Sequence, residues 1–218
     1  MLKHLLIFII ALLFISSCKK AAVKPLALDP VADYLPTTPG STWTYGITDD
    51  TIYRSGPTFT MTMTSDTLNR FGKAFIIAMA SSPGFDASNQ FYFNKSGGQY
   101  KVYSSIVHDA QSNEDFDIPI LLRGNTNDRD TSFYVPDANP SLPPAYQVTS
   151  YAVKPLQAIT VQGKTYKDCS EVFVSINKLD NGGYYFYRYY IFYFAPSVGI
   201  IKEFTNNQSM FLLSYDIK

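Results

Sequence analysis

From Thr58 to Thr64 the chain alternates threonine with Phe59, Met61 and Met63, the period of a strand with one face buried and one wet. Trp43, Tyr45 and Ile47, spaced by Thr42, Thr44 and Gly46, repeat that pattern one segment earlier. Further β-rich runs cover residues 73–80, 90–94, 99–106, 116–122, 146–154, 158–162, 165–177, 184–194, 199–205 and 209–217. Between them lie short turn signals. The clearest is Asp180-Asn181-Gly182-Gly183, whose residues tolerate the positive φ that a tight hairpin demands. Beyond the first seventeen residues, no stretch of twelve shows capped helical periodicity. Connections of two to six residues cannot return a chain to a parallel neighbour, so the sheet is expected to be antiparallel throughout.

The pattern therefore predicts an all-β fold, an antiparallel meander closed into an up-and-down barrel or half-barrel, with a two-sheet β-sandwich as the alternative. One segment breaks the rhythm. Residues 109–144 are acidic and Asn-rich, interrupted by Pro119, Pro136, Pro140, Pro143 and Pro144, and read as an irregular excursion carrying one or two short strands. Residues 34–218 otherwise form a single β-rich domain.

The N-terminus follows a different grammar. Lys3 and His4 precede an unbroken apolar run from Leu5 to Ile15, then Ser16, Ser17 and Cys18, the basic, apolar, small order of a secretory signal. At about 1.5 Å per residue the run spans roughly 16 Å, half of a hydrocarbon core of roughly 30 Å, which disfavours a permanent membrane helix. Ile15-Ser16-Ser17-Cys18 resembles the lipobox of bacterial lipoproteins. That resemblance implies cleavage after residue 17 and lipid on Cys18, with residues 18–33 a lipidated N-terminus and flexible tether marked by Pro25 and Pro30. An ordinary signal peptide is the weaker reading, because no Ala-x-Ala-like site ends the apolar run.

Two further stretches carry a family likeness. Pro36, Gly40, Trp43 and Tyr45 make a P-x-x-x-G-x-x-W-x-Y opening strand, and Ala195-Pro196-Ser197-Val198-Gly199 an A-P-x-V-G hairpin near the end. Together they resemble uncharacterised Bacteroidota cell-envelope lipoproteins, which usually carry glycine where this chain has Ser197. The resemblance implies an outer-membrane address and a β-rich fold, and no activity. Surface-exposed members are similar in having acidic residues behind the lipidated cysteine. Here Lys19, Lys20 and Lys24 follow, which favours a periplasm-facing position over the cell surface.

Charge and chemistry narrow the picture further. Without residues 1–17 the chain has 17 basic against 18 acidic side chains and no basic run beyond the tether, so nucleic acid is not an expected partner. With Cys18 committed to lipid, Cys169 has no disulfide partner and reads as a small buried apolar residue; a reactive thiol would need more than Lys167 nearby. His108 is the single histidine of the mature chain, too few for a zinc site built on several imidazoles, and no Gly-x-Ser-x-Gly elbow accompanies it. No cofactor or metal is expected. Glu114, Asp115 and Asp117, and then Asp128 and Asp130, are read as solvated loop carboxylates rather than calcium ligands or the catalytic pair of a glycan hydrolase.

The most unusual segment runs from Tyr184 to Phe194, aromatic on both faces. Strict alternation puts Tyr185, Tyr187, Tyr189, Ile191 and Tyr193 on one side, and Tyr184, Phe186, Arg188, Tyr190, Phe192 and Phe194 on the other. The structural reading is a central strand covered on both sides. The functional reading is an aromatic wall in which Tyr185, Tyr187, Tyr189 and Trp43 meet a small apolar, glycan or peptide ligand or an envelope protein, with Arg188 as an anion contact. The expected function is thus a membrane-anchored, non-enzymatic binding domain. Its alternatives are an envelope glycan hydrolase with paired carboxylates and a purely structural envelope component.

Overall fold

The computed structural model describes residues 33–49, 54–70, 72–82, 85–96, 99–104, 117–121, 130–134, 146–151, 154–206 and 208–218. Cys18 and the signal peptide, His108, Glu114, Asp115 and Asp128 lie outside them. Thirteen strands and no helix make up the described residues. They are β1 (Thr42–Asp49), β2 (Arg54–Arg70), β3 (Lys73–Ser82), β4 (Phe85–Ser96), β5 (Gln99–Ser104), β6 (Asp117–Leu121) and β7 (Asp130–Tyr134). The remainder are β8 (Tyr146–Ser150), β9 (Lys154–Val161), β10 (Lys164–Asp180), β11 (Gly183–Ala195), β12 (Gly199–Phe204) and β13 (Gln208–Asp216). Strands β6 and β7 fall inside the irregular excursion.

All pairings are antiparallel, in the order β6-β5-β4-β3-β2-β1-β13-β12-β11-β10-β8-β7. Two meanders run outward from a join between the first and last strands, with β9 set aside against β10. The seventeen residues of β10 explain that exception, because its first part, to Glu171, takes β9 and its later part, from Val174, takes β8 on the same edge. The sheet then curls until β6 rests against β7, β8 and β10, although no ladder joins the two ends among the described residues. This is the half-barrel form of the expected meander, one curled sheet rather than two stacked ones.

Bulges supply the curvature. Register shifts interrupt β1 on both of its edges, at Thr44/Tyr45 and Gly46/Thr48, and interrupt the pairing of β10 with β11 at Ile176/Asn177 and of β11 with β12 at Tyr193/Phe194. An extra residue in one strand bends it and deepens the twist, which a flat sheet needs before it can curl. On the concave side Trp43, Tyr45, Met61, Met63, Ala78, Phe91 and Phe93 form one cluster with Val148, Val174, Ile176, Tyr190, Phe192, Phe194 and Leu212. Each large apolar side chain buried there contributes about 1.5–3 kcal/mol.

Turn chemistry fixes the registers. Asn181 and Gly182 both take positive φ, 47° and 84°, so Asp180 pairs with Gly183 and the β10–β11 hairpin twists with its strands. Gln162 and Gly163 do the same between β9 and β10. The chain enters the fold firmly held. The Asp33 carbonyl accepts from the Ser197 amide at 2.6 Å, its carboxylate meets Lys95 Nζ at 2.8 Å, and the Tyr34 hydroxyl donates to the Asp168 carbonyl. Asp33, placed by sequence at the end of the flexible tether, is thereby tied to the hairpin between β11 and β12.

Candidate binding surface

Strand β11 owes its exposure to topology. It pairs with β10 from Gly183 to Phe194, yet β12 covers its other edge only from Ile191 onward. The β10–β11 hairpin therefore projects past its neighbours. At its tip Tyr184, Phe186 and Tyr185 are 38, 55 and 46% exposed, whereas Phe192 and Phe194 of the same strand are sealed. The Tyr189 amide, beyond the reach of β12, is capped instead by Asn206 Oδ1 at 3.1 Å.

The bulge at Ile176/Asn177 corrects the faces that strict alternation predicts. Arg188 stands opposite Ile176 and Phe186 opposite Asn177, which leaves Tyr187 as the extra residue. Below the bulge the parity reverses. Tyr185, paired with Lys178, and Tyr187 turn to the concave side with Arg188 and Tyr190, while Tyr189 lies on the convex side with Phe186. One extra residue opposite the partner strand re-aims every side chain beyond it, so the expected wall of Tyr185, Tyr187 and Tyr189 is divided between two faces.

On the concave side an aromatic and cationic group assembles. The rings of Tyr146 from β8 and Tyr187 meet edge to face at 6.1 Å. Lys178 Nζ lies 5.6 Å from the Tyr146 ring and 5.8 Å from that of Tyr187, and the Arg188 guanidinium lies 5.6 Å from the latter. Arg188 Nη1 also donates to the Tyr190 hydroxyl at 3.3 Å. Two cations thus share one tyrosine ring, an arrangement suited to an anionic or polar group beside aromatic carbon. Lys178 and Tyr146 were not among the residues singled out from sequence. The Asn181-Gly182 turn carried the signal for Lys178, since a two-residue loop dictates that residue 178 stands across from residue 185.

The convex side bears a ladder instead. Tyr151 and Phe173 are 5.2 Å apart between ring centroids, Phe173 and Tyr189 5.9 Å, and Tyr189 and Phe186 6.2 Å. Cross-strand aromatic pairs such as Phe173 with Tyr189 stabilise a sheet by roughly 0.2–1 kcal/mol each, so this face has a structural account of its own.

Trp43 is remote from both. Only 2% exposed, it donates through Nε1 to the Val198 carbonyl at 2.6 Å and lies beside Gly199, while Tyr45 donates its hydroxyl to the Ile200 carbonyl at 2.9 Å. Leu35, Pro36, Met61, Met63, Phe93 and Ile200 complete the lining of a cavity of about 10 Å³ at this point. That is space for a single water. The structural reading therefore accounts for Trp43, which fills the end of the half-barrel opposite the aromatic tip.

Cys169 is fully buried, its thiol facing the Lys167 carbonyl at 3.5 Å. Burial first, and then the Asp168 carboxylate, pushes it up to about 11, so it stays a thiol at neutral pH and packs as the small apolar residue expected from sequence. Of the carboxylates that the hydrolase alternative invoked, Asp117 and Asp130 begin β6 and β7, and the others fall outside the described residues. No cluster of three metal-ligating side chains occurs among the described residues. Sequence reading also passed over Glu203, buried on the concave side with only 6% exposed.

No family model matches the sequence, and no curated protein matches it. Among solved structures the chain is similar to a provisionally assigned exported protein with a YmcC-like fold from Bacteroides fragilis NCTC 9343. The identity is 11% and the TM-score 0.47, over 85% of this chain and 99% of that one. It is also similar to a provisionally assigned lipoprotein from Parabacteroides distasonis ATCC 8503, at 12% identity and a TM-score of 0.42, with the same shares covered.

Proposed function

We propose that this protein is a lipid-anchored envelope domain that binds a ligand or partner without chemistry, at the concave face of the β10–β11 tip. The observation that carries the reading is the grouping of Tyr185, Tyr187 and Arg188 with Lys178 and Tyr146 on a hairpin that overshoots its neighbours. Aromatic rings with adjoining cations suit sugars or peptides bearing an acidic group, because the ring faces take apolar carbon and the cations take the charge. Lipid on Cys18 holds the domain to the outer membrane, with the Lys19, Lys20 and Lys24 side chains behind it, facing the periplasm.

Two experiments test the two ends. Titrating the ¹⁵N-labelled mature domain with soluble acidic peptidoglycan fragments, and separately with oleate, should shift the amides of residues 178–188 in the first case. Tyr185→Ser should abolish that shift while leaving the rest of the spectrum in place. Shifts with neither probe, or shifts untouched by Tyr185→Ser, argue against the site. For the anchor, Cys18→Ala expressed in a Bacteroidota host should accumulate as full-length precursor; normal processing of that variant removes the claim.

A further inference from the structure

Next to the β1–β13 join lies the shortest described ladder of the sheet. Strands β12 and β13 share three pairs, Lys202 with Phe211, Glu203 with Met210 and Phe204 with Ser209. Past Lys202 the two strands part, and β1 bridges the opening through Trp43 and Tyr45, which bond the Val198 and Ile200 carbonyls. Glu203 occupies the middle of that ladder. Its side chain points to the concave interior, opposite Phe192 on β11 and Met210 on β13, and makes no hydrogen bond or ion pair among the described residues. Among the described residues the titratable group facing it is the Tyr45 hydroxyl, itself raised by burial and by Glu203 and already donating to Ile200.

A carboxylate in such surroundings has no compensating charge, so the neutral acid is strongly preferred. Burial accordingly pushes Glu203 up to about 8. To ionise, the side chain must reach water, and parting three ladder pairs is a smaller disturbance than opening any longer ladder around it. We propose that Glu203 is a proton-controlled latch on the β12–β13 ladder: protonated, it leaves the two strands paired, and ionised, it loosens them and admits water to the concave interior. The inference goes beyond the binding surface at the opposite end of β11 and does not depend on it.

The sign of the effect follows from proton linkage. The native state keeps a proton that the unfolded chain has released, so the contribution of Glu203 is complete below about 4.5, declines as pH rises and is gone above about 8. Hydrogen exchange on the whole mature domain between pH 6 and pH 9 tests the latch, with protection corrected for the intrinsic pH dependence of exchange. Protection at Lys202, Glu203, Phe204 and Met210 should fall by more than about tenfold, against little change at Val172 and Val174 of β10, and Glu203→Gln should stay level. An equal fall in Glu203→Gln, or one spread evenly over the β1–β4 and β10–β11 ladders, overturns the proposal. If the Gln variant does not fold, Glu203→Met is read by the same criteria.

Discussion

The two ends of β11 are made of the same kinds of side chain and behave in opposite ways. Phe192 and Phe194 are sealed, while Tyr184, Tyr185 and Phe186 stand in solvent at the far end of the strand. Hydrophobicity does not separate them; neighbours do. At the sealed end β12 lies alongside, Trp43 and Tyr45 cap the carbonyls of Val198 and Ile200, and the N-terminal segment is pinned to Ser197. At the open end β12 has already stopped and β8 reaches no further than Tyr146 opposite Lys178. An aromatic residue in this fold is core or surface according to how many strands run past it, so a hairpin that overshoots its sheet presents rings that the same sequence elsewhere would bury.

The largest test of that contrast is at the sealed end. Trp43→Ala removes a buried indole together with the donor to the Val198 carbonyl, and should cost about 3–5 kcal/mol by urea denaturation. Trp43→Phe keeps much of the volume and should cost about 1–3 kcal/mol, the share belonging to the unpaired carbonyl. A loss under 1 kcal/mol for the alanine variant would mean that this end is not sealed as described, and the contrast would fail at its stronger pole.

A second test concerns the curl itself. At Gly46 a Cβ would come within 2.7 Å of Phe211 Cε2 and 2.9 Å of its Cζ, so the phenyl ring lies directly over the glycine on the β1–β13 pair. Gly46→Ala should cost about 1–3 kcal/mol through overpacking. Measured in a Phe211→Leu background, the same change should cost less by at least about 0.5 kcal/mol, because the two sites share one contact. Simple additivity would dissociate Phe211 from the role given to it here.

Local pattern and turn chemistry made most of this fold legible. Alternation in Thr58–Thr64 marked Met61 and Met63 as inward, and Asn181-Gly182 located the hairpin that organises the candidate site. Strand β7 was foreseen only as one of the one or two short strands of the excursion, without bounds, because Asp130–Tyr134 follows a run of Asn and Asp whose own preference is for turns, and pairing with β8 overrides it. The bulges were the deeper loss. Nothing in Tyr184–Phe194 announces that Tyr187 is the extra residue, since aromatic side chains on both faces leave no alternation to break. Glu203 was hidden for the same reason: Ile200 and Ile201 are both buried across a register shift, so the parity that places Glu203 inward cannot be counted from sequence.

The hairpin between β11 and β12 offers a smaller effect of opposite sign. Ser197 takes a φ of 58°, in the left-handed region that a side chain disfavours, and it occupies the position where the resembling lipoproteins usually have glycine. Ser197→Gly should therefore stabilise by about 0.5–1 kcal/mol, the relief of backbone strain exceeding the extra entropy of glycine in the unfolded chain. Thermal denaturation is sufficient to see it. A destabilised variant would show that the serine makes up for its backbone in some other way at this sealed end.

The smallest expected change is the most discriminating. Phe186→Ser removes an exposed ring whose described ring contact is the stack on Tyr189, and should alter stability by less than about 0.5 kcal/mol, within the range of ordinary surface substitutions. Tyr190→Ala, four residues along on the same strand and sealed, should cost about 3–5 kcal/mol, as a buried aromatic ring does. If both cost alike, exposure at the tip does not report independence from the core. The projecting hairpin would then be part of the scaffold, and the rings at its end would need no ligand to explain them.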